Sequence, residues 1–121
     1  PGLVPPALCQ AKATPFQVTP TITVGNGTLA RAAGDARAVR ASPELDGATL
    51  ALAAALAQEL GLGRGAATDV LSVGLSATDY VGHAYGSGGQ EMCLQMLALD
   101  RELGDFLRQL DGMGVDYAVM L

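Results

Sequence analysis

Apolar residues change their spacing several times along this chain, and each change marks an element. From Gln90 to Leu110, Met92, Met96, Leu99, Leu103, Phe106 and Leu110 recur at three- and four-residue steps. That spacing builds one apolar stripe on a long helix, and Asp100, Arg101, Glu102, Asp105 and Arg108 line the remainder. A second helical pattern opens at Ser42-Pro43, with Ser as cap and Pro in the first turn, and runs to about Leu60. Glu44 and Asp46 place negative charge where the helix dipole favours it; Asp46 could itself be the cap. Leu45, Leu52, Leu56 and Leu60 fall on one face, alanines fill the rest, and Gly61 and Gly63 end the helix. Between the two helices, Thr68 to Leu75 is nearly continuous in Val and Leu, as in a parallel strand covered on both faces. After a turn at Asp111-Gly112-Met113-Gly114, Val115 to Leu121 repeats that character. Helix, strand, helix, strand predicts an α/β fold with parallel strands flanked by helices.

Residues 1–40 follow a different rule. Five of the six prolines lie there, and proline blocks helices and central strands. The segment is expected to be irregular, with a short edge strand over Phe16 to Val24. Gly25-Asn26-Gly27 reads as a turn, because Gly and Asn tolerate positive φ. The VGNG run looks like a phosphate loop but lacks its Lys and the helix behind it, so a plain turn is expected. The division is therefore 1–40, irregular, and 41–121, a partial α/β domain.

Composition narrows the function classes. The chain has 121 residues and a net charge of −5, with Lys12 its single lysine. A nucleic-acid surface would need clustered Lys and Arg, so none is expected. No apolar run is long enough to span a bilayer. Cys9 and Cys93 either bridge or remain buried thiols, and their spacing leaves both open. Both ends read as cut, which suggests a piece of a larger enzyme.

The candidate chemistry lies after the first predicted strand, where open α/β sheets collect ligands. Ser76 to Gly89 is expected to be a loop. It holds Asp79 and His83, four apart, and His83 is the chain's only histidine. A hard oxygen beside an imidazole nitrogen suits zinc, although two ligands do not complete a site. Gly82 would let the backbone turn so that both side chains point one way. Three other readings compete. Gly82, Gly86, Gly88 and Gly89 before the long helix could hold a phosphate, but the G-x-G-x-x-G order is absent. Gly74-Leu75-Ser76-Ala77-Thr78 imitates a nucleophile elbow without its closing Gly. Asp79 and His83 could also form a simple hydrogen-bonded pair.

RASPELDGATLALAAALAQELGLG, TDVLSVGLSATDYVGHAYGSGGQEM, LALDRELGDFLRQLD and VDYAVML, taken in order, resemble the alkaline phosphatase superfamily. The nearest likeness is to bacterial alkaline phosphatases of the type I phosphodiesterase/nucleotide pyrophosphatase branch. The likeness covers about two-thirds of the chain and implies a partial alkaline-phosphatase-like fold. In that family a strand is followed by an Asp and, four residues on, by a His preceded by Gly. The family carries two Zn2+ ions and a Thr or Ser nucleophile. The resemblance implies that Asp79 and His83 are ligands of one ion, near the leaving-group oxygen. It also implies a periplasmic or secreted enzyme that hydrolyses phosphate monoesters through a phosphoryl-enzyme intermediate. A phosphodiesterase of the same superfamily is the alternative, and a non-catalytic anion- or partner-binding module is another. The family's nucleophile, its early Asp ligand and its later Asp-His-Gly motif have no counterpart here. This chain alone is therefore expected to be inactive and to depend on the remainder of its parent.

Overall fold

A computed structural model of the chain describes residues 6–12, 15–27, 29 and 34–121. Pro1, Pro5 and Thr14 lie outside the described residues. The elements, in order, are α1 (Ala7–Gln10), β1 (Phe16–Thr19), β2 (Ile22–Val24), α2 (Ala36–Arg40), α3 (Pro43–Glu59), α4 (Ala77–Tyr85) and α5 (Gln90–Gly112).

The expected edge strand is an antiparallel hairpin, with Phe16 opposite Val24 and Gln17 opposite Thr23. Pro20 is the reason. It cannot donate within a strand and instead sits in the turn, where the Thr19 hydroxyl accepts from the Ile22 amide at 3.0 Å. The turn at Gly25-Asn26-Gly27 forms as read, with φ of 77° at Gly25 and 75° at Gly27. Asp35 caps α2, its carboxylate accepting from the amides of Arg37 and Ala38 at 3.0 and 3.1 Å.

α3 begins at Pro43 as expected. Its packed face differs from the leucine face. Asp46, Leu50, Ala53, Ala54 and Ala57 are buried, whereas Leu52, Leu56 and Leu60 are exposed. Small side chains let α3 approach α5 closely, and these two helices form the largest interface between elements. The approach is tightest at Gly47, where an added Cβ would stand 2.9 Å from Glu102 Oε1. Ser42 precedes the helix without capping it, its hydroxyl donating instead to the Val39 carbonyl at 2.6 Å.

The runs Thr68–Leu75 and Val115–Leu121 pair with nothing among the described residues, so the parallel strands are not formed. A strand gains its stability from cross-strand neighbours, and neither run has a paired strand among the described residues. Instead they border one apolar groove of about 630 Å³, with Leu71, Val73 and Val115 facing Leu103, Phe106 and Leu110. The Tyr117 hydroxyl donates to Asp111 at 2.7 Å and ties the second run to the end of α5.

α5 starts at Gln90, as the periodicity predicts. Its most buried residues are polar: Gln90, Glu91 and Gln95. Cys93, in the second turn of α5, is bridged to Cys9 of α1 across 84 residues, which settles the open cysteine question.

Glu102 gives a pH test of the α3–α5 interface. Burial raises its pKa above the ordinary 4.5, and the neighbouring Asp46 and Glu44 add to this against the opposing pull of Arg101. The folded protein then holds this proton more tightly than the unfolded chain. Stability is therefore lost as pH rises through the window that begins near 4.5. Glu102→Gln should raise the melting temperature at about pH 8 and leave it unchanged at about pH 4. An equal shift at both pH values would count against this account.

Candidate metal centre

The segment Ser76–Gly89 is a helix followed by a short glycine turn, not a loop throughout. α4 spans Ala77–Tyr85, and Gly86, at φ 78°, ends it by donating to the Gly82 carbonyl. Ala77 and Val81, one turn apart, are fully buried and form the inner face. Asp79 in the first turn and His83 in the last match the helix dipole at each end. Gly82 does not turn the backbone. It lies within α4, facing the Met92 side chain.

The helix, rather than a glycine turn, brings Asp79 and His83 together. Residues four apart share a helix face, and here Asp79 Oδ1 stands 3.5 Å from His83 Nε2. Both side chains are on the solvent side, with 71% of Asp79 and 80% of His83 accessible. The separation is long for a hydrogen bond, whose usual length is about 2.9 Å. Two donors each about 2.1 Å from one tetrahedral cation would stand about 3.4 Å apart. The separation lies within ion-pair range and is also one that two ligands of a shared cation would span. No third His, Cys, Asp or Glu joins them among the described residues.

Beneath α4 lies a polar cluster that the sequence did not disclose. Asp46 of α3, fully buried, accepts from the Ala77 amide at 3.0 Å and from Gln95 Nε2 at 3.2 Å. Gln95 Nε2 also lies 3.3 Å from the Thr78 hydroxyl. Asp46 thus caps α4, not its own helix. One available signal was its position one turn before Leu50, on the stripe that continues to Ala53 and Ala57. On the outer side, the Arg40 guanidinium sits 5.1 Å over the Tyr80 ring and joins α2 to α4.

The phosphate-loop likeness of VGNG has a physical basis. The amides of Asn26 and Gly27 converge on an anion, and that anion is the Glu91 carboxylate, at 2.6 and 2.9 Å. Its other oxygen, Oε2, is buried without a hydrogen-bond partner among the described residues. An added Cβ at Gly89 would stand 2.6 Å from that oxygen. Glu91 therefore fills the α5 entrance where a phosphate was considered. Ser76, the elbow candidate, stands next to α4 with no histidine within its turn; His83 pairs with Asp79 instead.

The chain belongs to the type I phosphodiesterase / nucleotide pyrophosphatase family, whose profile matches residues 11–121. It is 51% identical over its full length to alkaline phosphatase PhoK of Sphingomonas sp, covering 22% of that protein. It is 42% identical over 118 residues to alkaline phosphatase PhoD of Zymomonas mobilis, covering 20%. A shorter stretch of 69 residues is 42% identical to alkaline phosphatase PhoV of Synechococcus elongatus. The chain spans about a fifth of the length of the first two relatives. No helix among the described residues is long and apolar enough to cross a membrane.

Proposed function

We propose that this chain supplies part of one zinc site of a secreted or periplasmic phosphohydrolase, with Asp79 Oδ1 and His83 Nε2 as ligands. The carrying observation is the 3.5 Å donor pair on one helix face, in a chain whose relatives are named alkaline phosphatases. Asp79 contributes anionic charge, and His83 a neutral nitrogen when deprotonated. When bound, zinc supplies Lewis-acid charge to the phosphoryl oxygens. The helix fixes the spacing of the two donors, so no loop closure is needed to form the pair. The nucleophile and the remaining ligands come from the rest of the parent, which also covers the apolar groove. The Cys9–Cys93 bridge supports an oxidising compartment.

The relatives' names favour phosphate monoesters as substrates, turned over through a phosphoryl-enzyme intermediate. The family's description favours a diesterase as the second reading. Assays of the full-length protein with p-nitrophenyl phosphate and bis(p-nitrophenyl) phosphate separate the two. Turnover of the monoester should dominate, stop on chelation and return with zinc. Undiminished turnover after complete removal of metal would sink the zinc reading. The 121-residue chain alone should turn over neither ester.

A further inference from the structure

α4 has few local reasons to hold its pose. It contains Thr, Tyr, Val and Gly, none of them strong helix formers. Its Ser76 makes no side-chain cap. What fixes its first turn comes from two other helices. The Asp46 carboxylate of α3 takes the Ala77 amide on one oxygen and Gln95 of α5 on the other. Gln95 reaches on to Thr78. Both Asp46 and Gln95 are fully buried. Nearby water therefore offers no substitute for a lost bond.

We infer that Asp46 and Gln95 are positioning residues for the Asp79–His83 pair, an inference that rests on the zinc reading above. The reason is geometric. Ala77 and Thr78 immediately precede Asp79, so bonds to their amide and hydroxyl set the rotation of α4 about its axis. Each residue step in a helix is about 100° of rotation, and metal–ligand distances tolerate only about 0.2 Å. A modest roll of α4 would carry both donors together away from the ligands that the rest of the parent supplies. Removing the buried carboxylate strands the Ala77 amide and frees that roll.

Asp46→Asn tells hydrogen bonding from mere presence of charge. Its amide oxygen can still accept from Ala77. Its amide nitrogen can donate to Gln95 Oε1, which is buried with no hydrogen-bond partner among the described residues. Asn should therefore restore the clamp after a flip of the Gln95 amide, whereas Ala cannot.

The experiment is zinc affinity of the full-length protein by chelator competition, beside its melting temperature, for Asp46→Ala, Asp46→Asn, Gln95→Ala and Leu50→Ala. Leu50 is buried one turn beyond Asp46 on α3 and carries no polar side-chain atom, so it reports stability alone. Asp46→Ala and Gln95→Ala should weaken zinc binding about 10–100-fold, the range for residues that orient metal ligands. Asp46→Asn should stay within about threefold of the parent, and Leu50→Ala should lower the melting temperature without moving zinc affinity. If Asp46→Ala does not fold, Gln95→Ala and Asp46→Asn still carry the comparison. Unchanged zinc affinity in Gln95→Ala and in every folded Asp46 variant overturns the inference, provided Asp79→Ala weakens binding. If Asp79→Ala and His83→Ala also leave zinc binding unchanged, the zinc reading itself fails, and this inference with it.

Discussion

Replacing His83 by alanine in the full-length protein should lower phosphate-ester turnover about 10³-fold, equivalent to roughly 4 kcal/mol of transition-state stabilisation. Asp79→Ala should act similarly. Neither change should alter stability much. The two side chains are 80% and 71% exposed. Substitutions at such positions usually shift stability by no more than about 0.5 kcal/mol. The expected signature is therefore a large loss of activity, lower zinc content and an unchanged melting temperature of the metal-free protein. A hydrogen-bonded surface pair would give the opposite: near-normal turnover and metal content. Measuring all three on the same preparation decides between the two.

The second large effect concerns the bridge between α1 and α5. Closing a loop across 84 residues removes much of the freedom of the unfolded chain. On the chain-entropy account this is worth about 4–5 kcal/mol, a large share of the roughly 5–15 kcal/mol that holds a typical domain together. Cys9 is fully buried, and Gln90 Nε2 donates to its carbonyl at 3.2 Å, so the bridge is seated in packed surroundings. Cys9→Ser with Cys93→Ser should move the urea midpoint down sharply, and reductant should have no added effect on that variant. If oxidised and reduced protein unfold at the same midpoint, the bridge contributes little, whatever its geometry.

The legible parts of the fold were those with local causes. The stripe from Met92 to Leu110 and the Ser42-Pro43 start fixed α5 and the opening of α3 to within a residue or two. The Gly25-Asn26-Gly27 turn follows from residues that accept positive φ. The misread parts have remote causes. α4 looked like a loop because its cap, Asp46, lies 31 residues upstream of Ala77. No window around Ser76 contains it. The packed face of α3 is the alanine face and not the leucine face, because close helix contact selects small side chains. Val70–Leu75 and Val115–Leu121 have strand-like composition, but composition does not supply a hydrogen-bonding neighbour. At the site, Asp79 and His83 stand side by side, brought there by a helix and not by a glycine turn. The i, i+4 spacing was the better signal, since it needs only a helix. The polar cluster beneath them was invisible, because a lone Asp near a helix start reads first as a cap for its own helix.

The contact between Glu91 and the Gly25–Gly27 turn has a consequence for how the protein meets its surroundings. An internal carboxylate already saturates the two amides, and a tethered group competes from a very high local concentration. A dissolved anion therefore competes poorly for these two amides.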